Sequence, residues 1–178
     1  MKNRRAATVA VVAAVSAAVI SGVALAAQDR YSVKVPNGLA FSEFKGYDTW
    51  QVVAVSQTGD KIEVIVGNPE MIKAYKAGIP ANGKHFPDGV KMAKIHWNAK
   101  KSADAPSPTT VPDTLHDVDL MERDSKRFSS SGGWGWAQFN YDAASDTFSP
   151  EGTGAQCGFS CHTIAAAKDY VFTGYPKR

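Results

Sequence analysis

Near its C-terminus the chain reads Cys157-Gly158-Phe159-Ser160-Cys161-His162, which puts two thiols and an imidazole within six residues. These residue types in this order suit covalent attachment of one c-type haem. The thiols of Cys157 and Cys161 would bond the two vinyl groups along one porphyrin edge, and His162 would ligate the iron. The common attachment pattern has two residues between the cysteines, whereas this chain has three. Gly158 and the small Ser160 would let the backbone absorb the extra residue as a bulge. Phe159 would pack on the macrocycle or on the core. Two other chemistries use the same side chains. A disulfide would close a small loop and leave the histidine without a role, and zinc would need further ligands that lie far off in sequence.

The second axial position decides what such an iron does. An electron carrier fills it, often with Met or His, and a ligand-binding or catalytic haem leaves it open. Met71, Met92, Met121, His85, His96 and His116 are the available donors. Each also has an ordinary use, the methionines as core filler and the histidines as partly exposed polar residues.

Composition bounds the setting. The 178 residues, 44% hydrophobic and 21% charged, suit one globular domain with a real core. Lys2, Arg4 and Arg5 precede an uncharged Ala/Val-rich run that ends at Ala24-Leu25-Ala26. We read residues 1–26 as a secretory signal, with the domain spanning 27–178 and a periplasmic or otherwise exported location. An uncleaved leader acting as a membrane anchor is the alternative, and general export fits better than a twin-arginine route. Without the three basic residues of that leader the net charge of +3 falls to zero. Nucleic acid is therefore excluded as a partner, because its binding needs a basic patch that displaces counterions. A soluble electron-transfer partner is the expected company of an exported cytochrome.

The elements that must position the motif can be read from periodicity. Tyr31 to Leu39 reads as an extended arm that ends in a Pro36-Asn37-Gly38 turn, with structure proper starting after it. Trp50 to Ser56 and Lys61 to Val66, joined by Thr58-Gly59-Asp60, predict a hairpin. Asn68 as N-cap, Pro69 at the first helical position and Gly78 with Pro80 as terminators predict a short helix carrying Met71, Ile72 and Tyr75. A strand from Val90 to Trp97 places Val90, Met92, Lys94 and His96 on one face and Ala93, Ile95 and Trp97 on the other. Lys100 to Asp113, with three prolines, reads as a long loop. Leu115 to Met121 suggests a strand, Asp124 to Ser129 a turn or helical stub, Trp134 to Tyr141 a strand, and Thr163 to Ala167 a helix. The fold class is α+β, a largely antiparallel β-sheet with a few flanking helices, in a single domain with haem at the C-terminal motif.

Several segments resemble the cytochrome P-460 family, which includes the cytochromes c′-beta. They are Tyr47 to Trp50, Asn68-Pro69-Glu70 with Tyr75, Phe86-Pro87-Asp88-Gly89 leading to Lys94, Asp124 to Phe128, the aromatic strand Trp134 to Phe139, and the cysteine motif followed by Asp169 to Thr173. The resemblance implies a homodimer with one covalent haem c, a five-coordinate iron and His162 as proximal ligand. In the P-460 branch a strand lysine also bonds the porphyrin ring and the enzymes oxidise hydroxylamine. Lys94 stands at that position. Where those relatives carry a distal Arg, this chain offers Glu63 or a neighbour, and Glu151 is a candidate distal carboxylate for proton transfer. The implied function is an exported monohaem protein that oxidises or binds small nitrogen compounds such as hydroxylamine and nitric oxide. The alternatives are a non-catalytic nitric-oxide binder with a phenylalanine-lined distal face, or a six-coordinate electron carrier.

Overall fold

A computed structural model describes residues 27–151 and 155–178; the expected signal, residues 1–26, lies outside them. Its frame is one six-stranded antiparallel sheet, formed by β1 (Gln51–Thr58), β2 (Lys61–Gly67), β3 (Lys91–Lys101), β4 (Thr110–Arg123), β5 (Trp134–Asp142) and β6 (Thr147–Pro150), in the spatial order of the sequence. Helix α1 (Pro69–Lys76) connects β2 to β3, and helix α2 (Ala155–His162) follows β6. The α+β, single-domain expectation holds. Among the described residues no helix is long and apolar enough to cross a membrane.

Alternation along the strands sorts the side chains onto two faces. One face carries Val66, Ala93, Ile95, Val118, Leu120, Ala137 and Phe139, all buried in one cluster with Val35, Leu39, Phe41, Phe44 and Tyr47. The segment before β1 is therefore the second layer of the core, not a free arm. Leu39, Phe41 and Phe44 are fully buried. Its backbone runs as 3-10 turns at Arg30–Ser32, Phe41–Phe44 and Tyr47–Thr49, with Lys34 bridged to Ala40. Short turns with one or two anchors each leave no periodic signature, so this layer is not legible before the chain folds.

The other face carries Ile65, Met92, Met121, Trp134 and Trp136, clustered with Met71, Ile72 and Tyr75 of α1 and with Val171. Helix α1 begins as the sequence predicts. Asn68 Oδ1 accepts the Met71 N–H at 3.0 Å and also the Lys91 N–H at 3.0 Å, while Nδ2 donates to Gly89 O at 2.9 Å. One buried amide thus caps α1 and fixes the entry of β3. We expect Asn68→Ala to cost about 2 kcal/mol, one cap plus one orphaned strand N–H. Asn68→Asp, which keeps the acceptor, should lose less. Denaturant midpoints check this, and an unchanged Asn68→Ala midpoint would refute it.

Three boundaries differ from expectation. The loop after β3 is shorter than 100–113, because β3 and β4 extend into it as a two-stranded ribbon that reaches Lys101 and Thr110. Pro112 is tolerated there because β4 pairs with β5 only from Asp117 onward, so no neighbour waits for its missing N–H. Strand β6, four residues around buried Phe148, was too short to read. The expected helix after His162 is a 3-10 segment, Thr163–Lys168, and the α-helix instead contains the cysteine motif.

Candidate functional site

Because the motif lies inside α2, positions 157 and 161 stand one helical turn apart, and the extra residue is absorbed by the helix rather than by a bulge. Gly158 serves close approach: a Cβ there would collide with the Trp136 side chain of β5. Phe159 packs on the core, its ring 5.8 Å from Trp136 and 6.2 Å from Tyr170. Cys161 is a free, exposed thiol.

Cys161 and His162 border a cavity of about 410 Å³ whose other walls come from β1 to β5, from Gly158 of α2 and from the C-terminal segment. The His162 ring lies between Trp136 and Phe172, with centroids at 5.6 and 4.8 Å. Its Nδ1 sits 2.6 Å from the Tyr170 carbonyl oxygen. A carbonyl only accepts, so Nδ1 carries the proton and the neutral ring keeps its lone pair on Nε2. Burial, with Lys94 adding to it, holds His162 below the usual histidine range despite that hydrogen bond, which favours the neutral ring. This is the form that a metal requires.

Two cross-strand rows of the sheet supply the cavity floor, and a third runs beside them. Met92, Met121 and Trp136 form the first, Ile65, Lys94, Asp119 and Gln138 the second, and Glu63, His96 and Asp117 the third. The first row is apolar, and Trp136 Nε1 is buried there without a hydrogen-bond partner among the described residues. The second row is mixed, and Lys94, Asp119 and Gln138 all line the cavity with Ser56. The third lies just beyond and is fully engaged in polar contacts. An apolar surface bordered by a thiol and a lone-pair imidazole, with a polar far side, fits a flat amphipathic macrocycle held by Cys161 and His162.

Lys94 stands where the sequence placed it, on the cavity face of β3, with Nζ 2.9 Å from Glu63 Oε2. Glu63 also accepts from Ser56 Oγ at 2.7 Å. Burial by itself would raise the Glu63 carboxyl, but the hydrogen bonds from Ser56 and Lys94 outweigh it and hold the group below the ordinary range. Glu151 follows β6, and its N–H donates to Gln138 O at 2.9 Å. It is not among the cavity-lining residues, whereas Asp119, which sequence reasoning missed, is. Burial pushes the Asp119 carboxyl up to about 6, with the Asp117 charge adding to the rise, and its Oδ1 has no hydrogen-bond partner among the described residues. Only the pairing of β3 with β4 reveals Asp119, which stands opposite Lys94.

The candidate axial donors separate clearly. Met92 and Met121 line the cavity, while Met71 of α1 is fully buried in the core. His85 bonds Asp169, and His96 and His116 both bond Asp117. Of the phenylalanines expected around a distal face, Phe172 is the one that lines the cavity among the described residues.

The sequence model of the family described as Cytochrome P460 matches residues 44–173. A search of curated proteins finds no match. The matched span runs from Phe44 through every strand and the cysteine motif to Thr173, and so takes in the cavity and both candidate haem-bearing residues on its wall. With most of its length covered and its fold in agreement, the chain belongs to the cytochrome P460 family, whose cofactor is covalent haem c with its iron.

Proposed function

We propose that this c-type haem protein is an exported oxidoreductase that acts on small nitrogen compounds, hydroxylamine or nitric oxide, at an open iron face, and passes electrons to a soluble partner. The observation that carries this reading is the polar wall of Lys94, Asp119 and Gln138 on the cavity that Cys161 and His162 border. Cys157, Cys161 and His162 are the residues that would hold the haem, with His162 as the iron's ligand. Haem, when bound, supplies an iron that accepts electrons from a small ligand. The protein's own part is to orient and to move protons. Tyr170 O fixes the His162 tautomer, Glu63 holds the Lys94 ammonium at the cavity, and Asp119, half titrated near pH 6, can take a proton close to neutrality. Glu151 remains a candidate for a second proton acceptor.

A homodimer and a cleaved leader accompany this proposal, since both follow from the resemblance and the leader pattern. The second reading, a nitric-oxide binder without turnover, is favoured by the apolar row of Met92, Met121 and Trp136.

Matured full-length protein should show a high-spin spectrum and steady hydroxylamine oxidation with an artificial electron acceptor. Nitric oxide binding without turnover would select the binder, and a low-spin spectrum indifferent to nitric oxide would select an electron carrier. Intact mass should reveal whether Lys94 is bonded to the ring. Lys94→Ala is expected to change the ferrous spectrum, and an unchanged one would argue against that bond.

A further inference from the structure

Beyond the cavity floor, the third cross-strand row belongs to a chain of titratable groups from His116 to Lys94, of which the proposed chemistry uses only Glu63 and Lys94. His116, with 46% of its side chain exposed, contacts Asp117 Oδ2 through Nδ1. Asp117, only 6% exposed, uses its other oxygen, Oδ1, to contact His96 Nδ1. His96 Nε2 then faces Glu63 Oε1 at 3.7 Å, and Glu63 Oε2 meets Lys94 Nζ at 2.9 Å on the cavity wall. Each internal member joins its neighbours through two different atoms. A proton that arrives on one atom of a carboxylate or imidazole can therefore leave from the other without the side chain turning.

The geometry points to a proton relay from solvent at His116, through Asp117, His96 and Glu63, to Lys94 at the haem cavity. It rests on the reading of that cavity as a ligand site and adds how protons reach it. The 3.7 Å step from His96 Nε2 to Glu63 Oε1 is the one link longer than a hydrogen bond, and a displacement of about 0.5 Å between the two groups brings it within range.

The charges around His96 suit the role. Glu63 faces it from β2, Lys94 from its own strand, and His116, Asp117 and Asp119 from β4, the last at 3.9 Å. Burial and Lys94 push His96 down, yet the bond to Asp117 and the carboxylates outweigh them and raise it. Burial likewise pushes Asp117 up, and the two histidines more than reverse this. The Asp117 carboxylate and the His96 imidazolium thus favour one another's charged forms.

A divalent cation held by His96, Asp117 and Asp119 is the rival use of these donors. Two ligands of one tetrahedral cation stand roughly 3.3 Å apart, as metal–ligand distances near 2.0 Å require. His96 Nδ1 and Asp117 Oδ1 are in direct hydrogen-bond contact, closer than that, so the space between them fits a proton.

The test uses the haem-loaded full chain and two ligands that differ in proton demand. Hydrogen cyanide must give up its proton to bind ferric iron, whereas carbon monoxide binds ferrous iron without proton transfer. His96→Gln and Asp117→Asn should slow cyanide association about tenfold or more at neutral pH, with carbon monoxide association within about twofold of wild type. His116→Gln, at the exposed mouth, should slow cyanide several-fold, with recovery in imidazole buffer. Unchanged cyanide rates in all three variants, or equal slowing of both ligands, would overturn the relay alone. Wild-type protein that binds neither ligand would overturn the open-face reading and the relay together.

Discussion

Denatured, intact-mass analysis of a matured Cys157→Ala/Cys161→Ala protein should return the bare polypeptide, while the wild type carries the added mass of one haem. The expectation follows from the absence of other thiols: the chain has two cysteines, and family membership makes the haem covalent. Haem mass retained when Lys94→Ala is added to the double variant would refute attachment at this motif, because the other candidate covalent link is then gone as well. Each single variant should keep one thioether bond and a shifted reduced spectrum, because one vinyl group then stays conjugated with the ring. His162→Ala should leave the haem attached, since both thiols remain, but change the iron's spin state. That separation of attachment from ligation tests the two halves of the motif independently.

Asp169→Ala should be the most destabilising single change outside the hydrophobic core. The Asp169 carboxylate, 2% exposed, accepts the Phe86 N–H at 2.7 Å, faces His85 Nδ1 at 2.8 Å and pairs with Arg123 Nη1 at 3.3 Å. Arg123 is itself only 11% exposed. Truncation leaves a shielded guanidinium short of its counter-charge and a buried N–H without an acceptor, a combination that costs about 3–5 kcal/mol. In a chain of this length the thermal midpoint should fall by roughly 10 °C. Asp169→Asn, which keeps one acceptor oxygen, should fall about halfway. A midpoint within about 2 °C of wild type for Asp169→Ala would refute the assignment, since a change that small lies below the expected cost.

The effect should reach the haem as well. Asp169 and Tyr170 both adopt left-handed backbone angles, φ 52° and 63°, and the carbonyl of Tyr170 is the one that orients His162. Releasing Asp169 loosens the turn that aims the imidazole, so Asp169→Ala should also broaden the haem spectrum.

The Lys94 and Asp119 pair shows how differently two residues of one site can be read. The alternation Met92, Lys94, His96 told from sequence that Lys94 shares a face with Met92, because side-chain direction along one strand is a local property with a period of two. Asp119 was invisible beside it. Its place opposite Lys94 depends on how β4 slides against β3, and no residue in either strand announces that register before they pair. The same holds for the His116–Asp117–His96–Glu63 chain, whose members come from three strands and make sense only once β2, β3 and β4 are side by side.

Other elements divide along the same line. The Asn68 cap, the Pro69 start and the strands around Lys94 and Trp136 were legible because short-range sterics and periodicity set them. The burial of Leu39, Phe41 and Phe44 was not legible, because nothing local says which sheet face an irregular segment will cover.

The cysteine motif stands between these cases. Sequence by itself determined which atoms can bond a haem, since two thiols and an adjacent imidazole carry that chemistry wherever the chain puts them. Tertiary structure decided how the extra residue is accommodated, as part of α2 against Trp136, and which groups face the cavity from the sheet. The physical reason is that bonding capacity belongs to side chains, while proximity across strands belongs to packing and register.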